Sequence, residues 1–375
     1  MPKIPYTSTD MEIRLLKDKF IAAYEKIKAA ENILLVAHER PDGDGLASLC
    51  ALSIFLEQIE KNHTLYCADA PQDFFSFLPN INKIISDKSL LGAGGQRQGP
   101  PRPALSLSKG ETLLKPIPSR TARTGCVSVD FSAFDLIVVL DCGCLARTRL
   151  ADEISNRNKN QFVIEFDHHP KVDEYSDLEI RTEKSSTAEI LYYFFHFNGL
   201  PFNKDIANCL LTGILTDTGN LLFGAVTPET IRISSTMLLA GATFPKITKR
   251  TLQNKSLAAM KAWGRILDNL KLNKKYNIAY SILTFAEIEE LKKEFGNENL
   301  LDAATDILNN IDEVKAVIFL REEIKGQIRG SLRTKDSRVD VARLATFLGG
   351  GGHPRAAAFR LNGSIVKTET GWKII

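Results

Sequence analysis

The sequence predicts an α/β protein: an N-terminal domain built on a parallel sheet with helices on both faces, then a smaller C-terminal α/β domain. Three observations carry this. Several short runs are apolar almost throughout, among them Ile33–Ala37, Leu136–Leu140 and Phe162–Phe166, as strands buried on both faces must be. They alternate with stretches of helical apolar spacing, the pattern of a sheet wound with helices. The 375 residues exceed one typical domain of ~150 residues more than twofold, and the texture changes after Ala240.

Along the chain, Met11–Ala30 reads as an amphipathic helix and Ile33–Ala37 as the first strand. The turn His38–Gly45 leads into a helix over Leu46–Glu60, and strands follow near Thr64–Cys67, Leu136–Leu140 and Phe162–Phe166. Ala188–Asn198, Asp205–Thr216 and Glu229–Ala240 show helical spacing. Phe244–Leu272, rich in Lys, Arg and Asn, reads as a linking helix. A second unit then runs through strand Ile278–Leu283, helices Ala286–Phe295 and Leu301–Asn310, strands Ala316–Arg321 and Gln327–Leu332, and helix Val339–Leu348. It closes with Gly349-Gly350-Gly351-Gly352-His353 and the apolar Ala356–Phe359. The expected division is residues 1–246, a linker helix over 247–275, and residues 276–375.

The segment Gly92–Cys126 interrupts this order. It holds six Gly and five Pro and cannot bury enough to order itself, so it reads as a surface insertion. It also carries six basic side chains against Glu111 alone, leaving 42 basic and 44 acidic residues elsewhere, a balance of −2. The formal +3 is therefore local, and a broad nucleic-acid-binding footprint is excluded. No apolar run approaches the ~18 residues of a membrane span, and Met1–Leu16 mixes charge and proline unlike a secretory signal. Six cysteines without a C-x-x-C pair suit reduced thiols in a cytoplasm.

The chemistry lies in where Asp and His fall. Ile33–Ala37 ends in His38-Glu39-Arg40-Pro41-Asp42-Gly43-Asp44-Gly45, Leu136–Leu140 in Asp141-Cys142-Gly143, and Phe162–Phe166 in Asp167-His168-His169. The helical run Leu210–Leu215 leads into Asp217. The carboxyl ends of parallel strands are where open α/β sheets build their sites. Taken singly, each has a plainer account. Asp44 could cap a helix, and Ser185-Ser186-Thr187-Ala188-Glu189 could equally be helix capping. Asp42-Gly43-Asp44-Gly45 is no EF-hand, because Leu46 and Ser53 occupy ligand positions. Together, carboxylates gathered at one sheet edge repel one another unless cations neutralise them. An oxygen-rich set with imidazoles suits Mn²⁺ first, with Mg²⁺, Co²⁺ or Zn²⁺ alternatives. It is large enough for two ions about 3.5–4 Å apart, the arrangement that serves phosphoryl hydrolysis.

His38-x-x-Pro41-Asp42-x-Asp44, Asp141, Asp167-His168-His169 and Asp217 resemble the four motifs of the DHH phosphoesterase superfamily. The glycine run with His353 resembles the signature of its DHHA1 substrate-binding domain, although Pro354-Arg355-Ala356-Ala357-Ala358 departs from the usual continuation. The resemblance implies an active-site cleft between the two domains. It implies one metal on His38, Asp42 and Asp141, and a second on Asp44, Asp141, His168 and Asp217. Asp167 would orient an imidazole and His169 would face the scissile phosphate, while Gly350, Gly351, Gly352, His353, Arg355 and Arg333 would hold the substrate. The activity implied is hydrolysis of short oligoribonucleotides to nucleoside 5′-monophosphates, of 3′-phosphoadenosine 5′-phosphate (PAP) to AMP, or both. The alternatives are a phosphodiesterase of cyclic dinucleotides or their linear products (pApA-type) and, from another class, a catalytically inert nucleotide-binding regulator. As partners the resemblance implies short RNA or small nucleotides and no membrane, and it permits a homodimer.

Overall fold

The computed structural model describes residues 8–88, 91, 131–222, 225–253, 256–295, 301, 308, 311, 313–368 and 371–375. The expected insertion Gly92–Cys126 and nearly all of the expected helix Leu301–Asn310 lie outside them. The chain divides into two compact units, Met1–Thr251 and Leu252–Ile375.

The first unit is built on strands β1 (Asn32–Ala37), β2 (Asn62–Cys67), β3 (Ile84–Ile85), β4 (Leu136–Leu140), β5 (Phe162–Asp167) and β6 (Leu178–Arg181). Their order in the sheet is β3-β2-β1-β4-β5-β6, and every pairing is parallel. Alternate residues of β1 enter two cores. Ile33, Leu35 and Ala37 pack with helices α3 (Gly43–Gln58), α5 (Thr187–Phe197) and α6 (Lys204–Asp217). Leu34 and Val36 pack with Leu150 and with Ile154 of the short α4 (Ala151–Ser155). Both faces are thus buried, which is why the central strands β1, β4 and β5 are apolar almost throughout. The chain builds outward from β1 through β2 and β3, then crosses back to β4 on the other side. Loops after β1 and β4 therefore part in opposite directions, leaving a crevice at their carboxyl ends.

The N-terminal stretch is two helices, α1 (Ser8–Leu15) and α2 (Lys17–Ala29), rather than one. Strand β6 was not legible in the sequence. It pairs with β5 alone, at the sheet edge, so Leu178-Glu179-Ile180-Arg181 alternates instead of being apolar throughout. Helices α7 (Pro228–Leu239) and α8 (Phe244–Thr251) complete this unit. Phe244–Leu272 is not one helix. It comprises α8, α9 (Leu257–Asp268) and the start of β7 (Lys271–Asn273), with Ser256 Oγ accepting from Ala259 N at 3.1 Å to begin α9 anew.

In the second unit β7 and β8 (Ile278–Leu283) precede α10 (Phe285–Phe295). Next come β9 (Ala316–Ile324), β10 (Gln327–Arg333), α11 (Val341–Phe347), β11 (Gly351–His353) and β12 (Ala356–Asn362). The sheet order is β11-β12-β10-β9-β8-β7. Only β8 and β9 run parallel, so the sheet is mixed. Strands β13 (Ile365–Thr368) and β14 (Gly371–Ile374) form a separate hairpin. Val341 and Ala345 of α11 pack on Leu332, Ala357 and Phe359. Among the described residues, no helix is long and apolar enough to cross a membrane.

Candidate active site

Each functional side chain of the first unit is placed by a strand end or a helix end at the crevice. His38 directly follows β1 and is almost fully buried. Asp42 caps α3, its Oδ1 accepting from the amides of Asp44 and Gly45 at 3.1 Å each. Asp44 lies in the first turn of α3 and is buried. Asp141 ends β4 with φ +61°, a left-handed backbone that Asp tolerates better than most residues. Its amide donates to Phe166 O at 3.0 Å, which ties the bend to β5. Asp167 closes β5, and His168 and His169 follow. Asp217 ends α6, a helix that reaches the site only because small residues admit it. A β-carbon on Gly213 would stand 2.5 Å from Asp44 Oδ1.

The ring nitrogens decide what the cluster can hold. His38 Nδ1 lies 2.7 Å from Glu39 O and His168 Nδ1 lies 3.1 Å from Lys184 O. A carbonyl only accepts, so His168 Nδ1 carries the proton and its Nε2 presents a lone pair. His38 Nδ1 lies between the Glu39 carbonyl and the Arg147 guanidinium, which only donates, and its Nε2 is the ring nitrogen turned to the carboxylates. His38 Nε2 faces Asp42 Oδ1 at 3.5 Å and Asp141 Oδ2 at 3.7 Å, buried and without a hydrogen-bond partner. His168 Nε2 faces Asp141 Oδ1 and Asp217 Oδ2, each at 3.5 Å. Ring nitrogens turned to carboxylate oxygens across gaps too long for a hydrogen bond leave room for a cation between them. A β-carbon on Gly45 would stand 3.2 Å from His38 Nε2 and 3.3 Å from Asp141 Oδ2, so the glycine leaves that space open. Ligand atoms converge in the groups His38, Asp42, Asp141 and Asp44, His168, Asp217. The donors are oxygen and imidazole nitrogen, and they fit divalent metal ions.

Electrostatics agrees. Burial, then the neighbouring carboxylates, pushes Asp141 well above the usual carboxylate range. Burial raises Asp44 to about 6 and Asp217 to about 8, against the attraction of His168. Burial works against a charged His168, yet Asp217 and Asp44 raise its pKa overall. Burial also opposes ionisation of Asp167, but His169 outweighs it and holds the carboxyl down at about 2.

His169 stands apart from the other two imidazoles. A third group of ligand atoms joins it to Asp141 and His168. However, its Nδ1 lies 2.9 Å and its amide 2.8 Å from Asp167 Oδ1, so Asp167 holds the ring. Asp167 Oδ2 accepts from Gly143 N at 2.5 Å.

Three contributors were not assigned from sequence. Arg181, from the unread strand β6, ion-pairs with buried Glu165, lies 3.5 Å from Asp167 Oδ2 and donates to His169 O at 2.7 Å. Arg147 donates to Cys142 O at 3.1 Å, and its guanidinium lies 2.9 Å from His38 Nδ1; nothing in its sequence context signals this. Thr187 donates its amide to Asp44 and its hydroxyl to Asp141. The Ser186-x-x-Glu189 pattern marked a helix start there but not the carboxylates it serves, and Ser186 does cap α5.

In the second unit, Arg333 ends β10 and pairs with Ala356, which also pairs with His353 of β11. Arg355 is exposed in the turn between β11 and β12, so all three stand at one end of that sheet. Two glycines of the run have a packing reason. A β-carbon on Gly350 would fall 2.1 Å from Ala358 O, and one on Gly352 would fall 2.5 Å from Ala356 O. At Gly351 it would meet nothing within 4 Å.

Comparison with known proteins adds the following. The model of the DHH family N-terminal domain matches residues 32–214, and that of the DHHA1 domain matches residues 275–369. A Thermus thermophilus protein named bifunctional oligoribonuclease and PAP phosphatase NrnA is 26% identical over 348 residues, 92% of this chain and 89% of that protein. A Streptococcus mutans protein named probable bifunctional oligoribonuclease and PAP phosphatase NrnA is 27% identical over 337 residues, 88% of this chain and 90% of its own length. The crystal structure of an exopolyphosphatase-related protein from Bacteroides fragilis has the same fold, with a TM-score of 0.76 and 24% identity over 93% of this chain and 92% of that one.

Proposed function

The chain belongs to the DHH family of phosphoesterases, with a DHHA1 domain following, and from that premise we propose that it hydrolyses short oligoribonucleotides to nucleoside 5′-monophosphates and PAP to AMP and phosphate. The supporting observation is the pair of imidazoles, His38 and His168, whose Nε2 atoms face opposite oxygens of one buried carboxylate, Asp141. In this reading His38, Asp42 and Asp141 hold one divalent ion and Asp44, Asp141, His168 and Asp217 hold a second, with Mn²⁺ preferred. Ions so held supply Lewis acidity at a phosphoryl oxygen and acidify water at neutral pH.

The chain's own residues do the rest. Asp167 fixes the His169 ring through Nδ1, turning Nε2 toward the scissile phosphate, where it can hold or release a proton at the leaving oxygen. Arg147 lies beside His38 and Gly143 and offsets charge gathering on the phosphoryl oxygens. In the second unit Arg333, His353 and Arg355, with the backbone of Gly350, Gly351 and Gly352, take the terminal phosphate of a short substrate. The enzyme works in the cytoplasm in this reading, in keeping with free cysteines such as buried Cys50, Cys67 and Cys209.

The test is a product assay with Mn²⁺ on labelled dinucleotides, longer RNA, cyclic dinucleotides and PAP, run side by side. Release of 5′-monophosphates from dinucleotides and AMP from PAP, faster than any product from longer RNA, is expected. Turnover confined to cyclic dinucleotides would replace this assignment with the alternative phosphodiesterase, and binding without turnover would replace it with an inert regulator.

A further inference from the structure

Asp141 serves both halves of the cluster only because its two oxygens point different ways. Oδ2 faces His38 Nε2 at 3.7 Å and Oδ1 faces His168 Nε2 at 3.5 Å. A rotation about the Cα–Cβ or Cβ–Cγ bond would deny one half its oxygen, and a terminal carboxylate torsion is soft. The side chain must therefore be held, and one residue is placed to do it. Thr187, the first residue of α5, is fully buried. Its Oγ1 donates to Asp141 Oδ1 at 2.9 Å, while its amide donates to Asp44 Oδ2 at 2.6 Å. The next amide, of Ala188, donates to Asp44 Oδ1 at 3.0 Å. Thr187 thus fastens, through two different groups, a carboxylate assigned to both ions and one assigned to the second.

We propose that Thr187 is a positioning residue whose hydroxyl holds Asp141 in the orientation that presents one oxygen to each half of the site. Only the hydroxyl is at issue, because the amide bonds to Asp44 are backbone and survive substitution. The hydroxyl proton occupies one lone pair of Oδ1 and leaves one toward His168, while Oδ2 keeps both toward His38 and Asp42. Residues that orient ligating groups in this way typically contribute 10–100-fold to metal affinity.

The inference rests on the two-ion reading above, and the experiment separates the two. Metal-free wild type, Thr187→Val and Thr187→Ser are titrated with Mn²⁺ by calorimetry, with electron paramagnetic resonance following the magnetic coupling between neighbouring ions. Val keeps the size and the backbone donor, and Ser186 remains the cap of α5. The expected result is two ions and a coupled spectrum for wild type and Thr187→Ser. For Thr187→Val, one ion should bind about 10–100-fold more weakly and the coupled signal should be lost at matched concentration. Thr187→Ala repeats the comparison should the valine not fold. Valine or alanine variants that titrate and couple like wild type overturn the role of Thr187 while leaving two ions in place. Wild type taking fewer than two ions overturns the two-ion reading, and this inference with it.

Discussion

Gly43 of α3 and Thr216 of α6 approach so closely that a β-carbon on Gly43 would fall 2.4 Å from the Thr216 hydroxyl oxygen. That contact brings the end of α6, with Asp217, against the start of α3, with Asp44. Neither residue carries the chemistry, yet the spacing of two carboxylates depends on both.

Gly43→Ala should therefore overpack the crossing and cost about 1–3 kcal/mol. The Mn²⁺-dependent rate should fall as Asp217 is displaced, and adding Thr216→Gly, which removes the Oγ1, Cγ2 and Cβ atoms at 2.4, 2.5 and 2.6 Å, should recover part of both losses. Thermal melts and rates across the double-mutant cycle check this, and simple additivity of the two substitutions would contradict it.

Removing metal should reverse the usual benefit of neutral pH. Burial raises Asp44 to about 6 and Asp217 to about 8, above the ordinary 3.8. Groups raised on folding make the folded chain bind more protons. The stability they contribute is complete below their unfolded values and is lost as pH rises through 6 and then 8. Melting temperatures of chelator-treated protein should fall from about pH 5 to about pH 9, and saturating Mn²⁺ should flatten the dependence. A flat profile without metal would count against the cluster's charge strain.

Asp141→Asn should separate stability from activity. Asn accepts the positive φ and can still receive the Thr187 hydroxyl. It removes a buried charge that burial and the surrounding carboxylates oppose. Metal-free protein at about pH 8 should melt higher than wild type, while turnover drops by roughly 10³-fold or more as one of the two oxygens that face His38 and His168 becomes an amide NH2. Near-normal turnover with added Mn²⁺ would end the assignment of Asp141 to both ions.

The glycine run offers an internal contrast. Gly350→Ala should destabilise the second unit, since its β-carbon would meet backbone at 2.1 Å, whereas Gly351→Ala has open space. If the run receives phosphate, Gly351→Ala should raise KM several-fold for substrates with a terminal phosphate at unchanged melting temperature. An unchanged KM would leave packing as the whole account of these glycines.

Much of this was legible because it obeys local rules. β1, β4 and β5 are buried on both faces, so each shows as a run apolar almost throughout, broken in β5 by Glu165, and the polar residues following each run mark the sheet's carboxyl edge. β6 escaped because an edge strand alternates, and with it went Arg181, which braces His169 and Asp167 from that strand. The division of Phe244–Leu272 escaped because helical spacing on both sides conceals a break.

Chain order alone determined that Asp42, Asp44, Asp141, Asp167, His38, His168 and His169 stand at the ends of buried strands, since a side chain's place at a strand end is set by sequence. Other relationships join residues distant along the chain, and only the tertiary structure decided them. Which oxygen of Asp141 faces His38 and which faces His168, that Thr187 lies 46 positions away and yet within 2.9 Å of it, and that Gly350 is needed by the backbone of Ala358 all depend on how elements pack. Packing is a property of pairs of surfaces, and no single stretch of sequence contains both members of a pair.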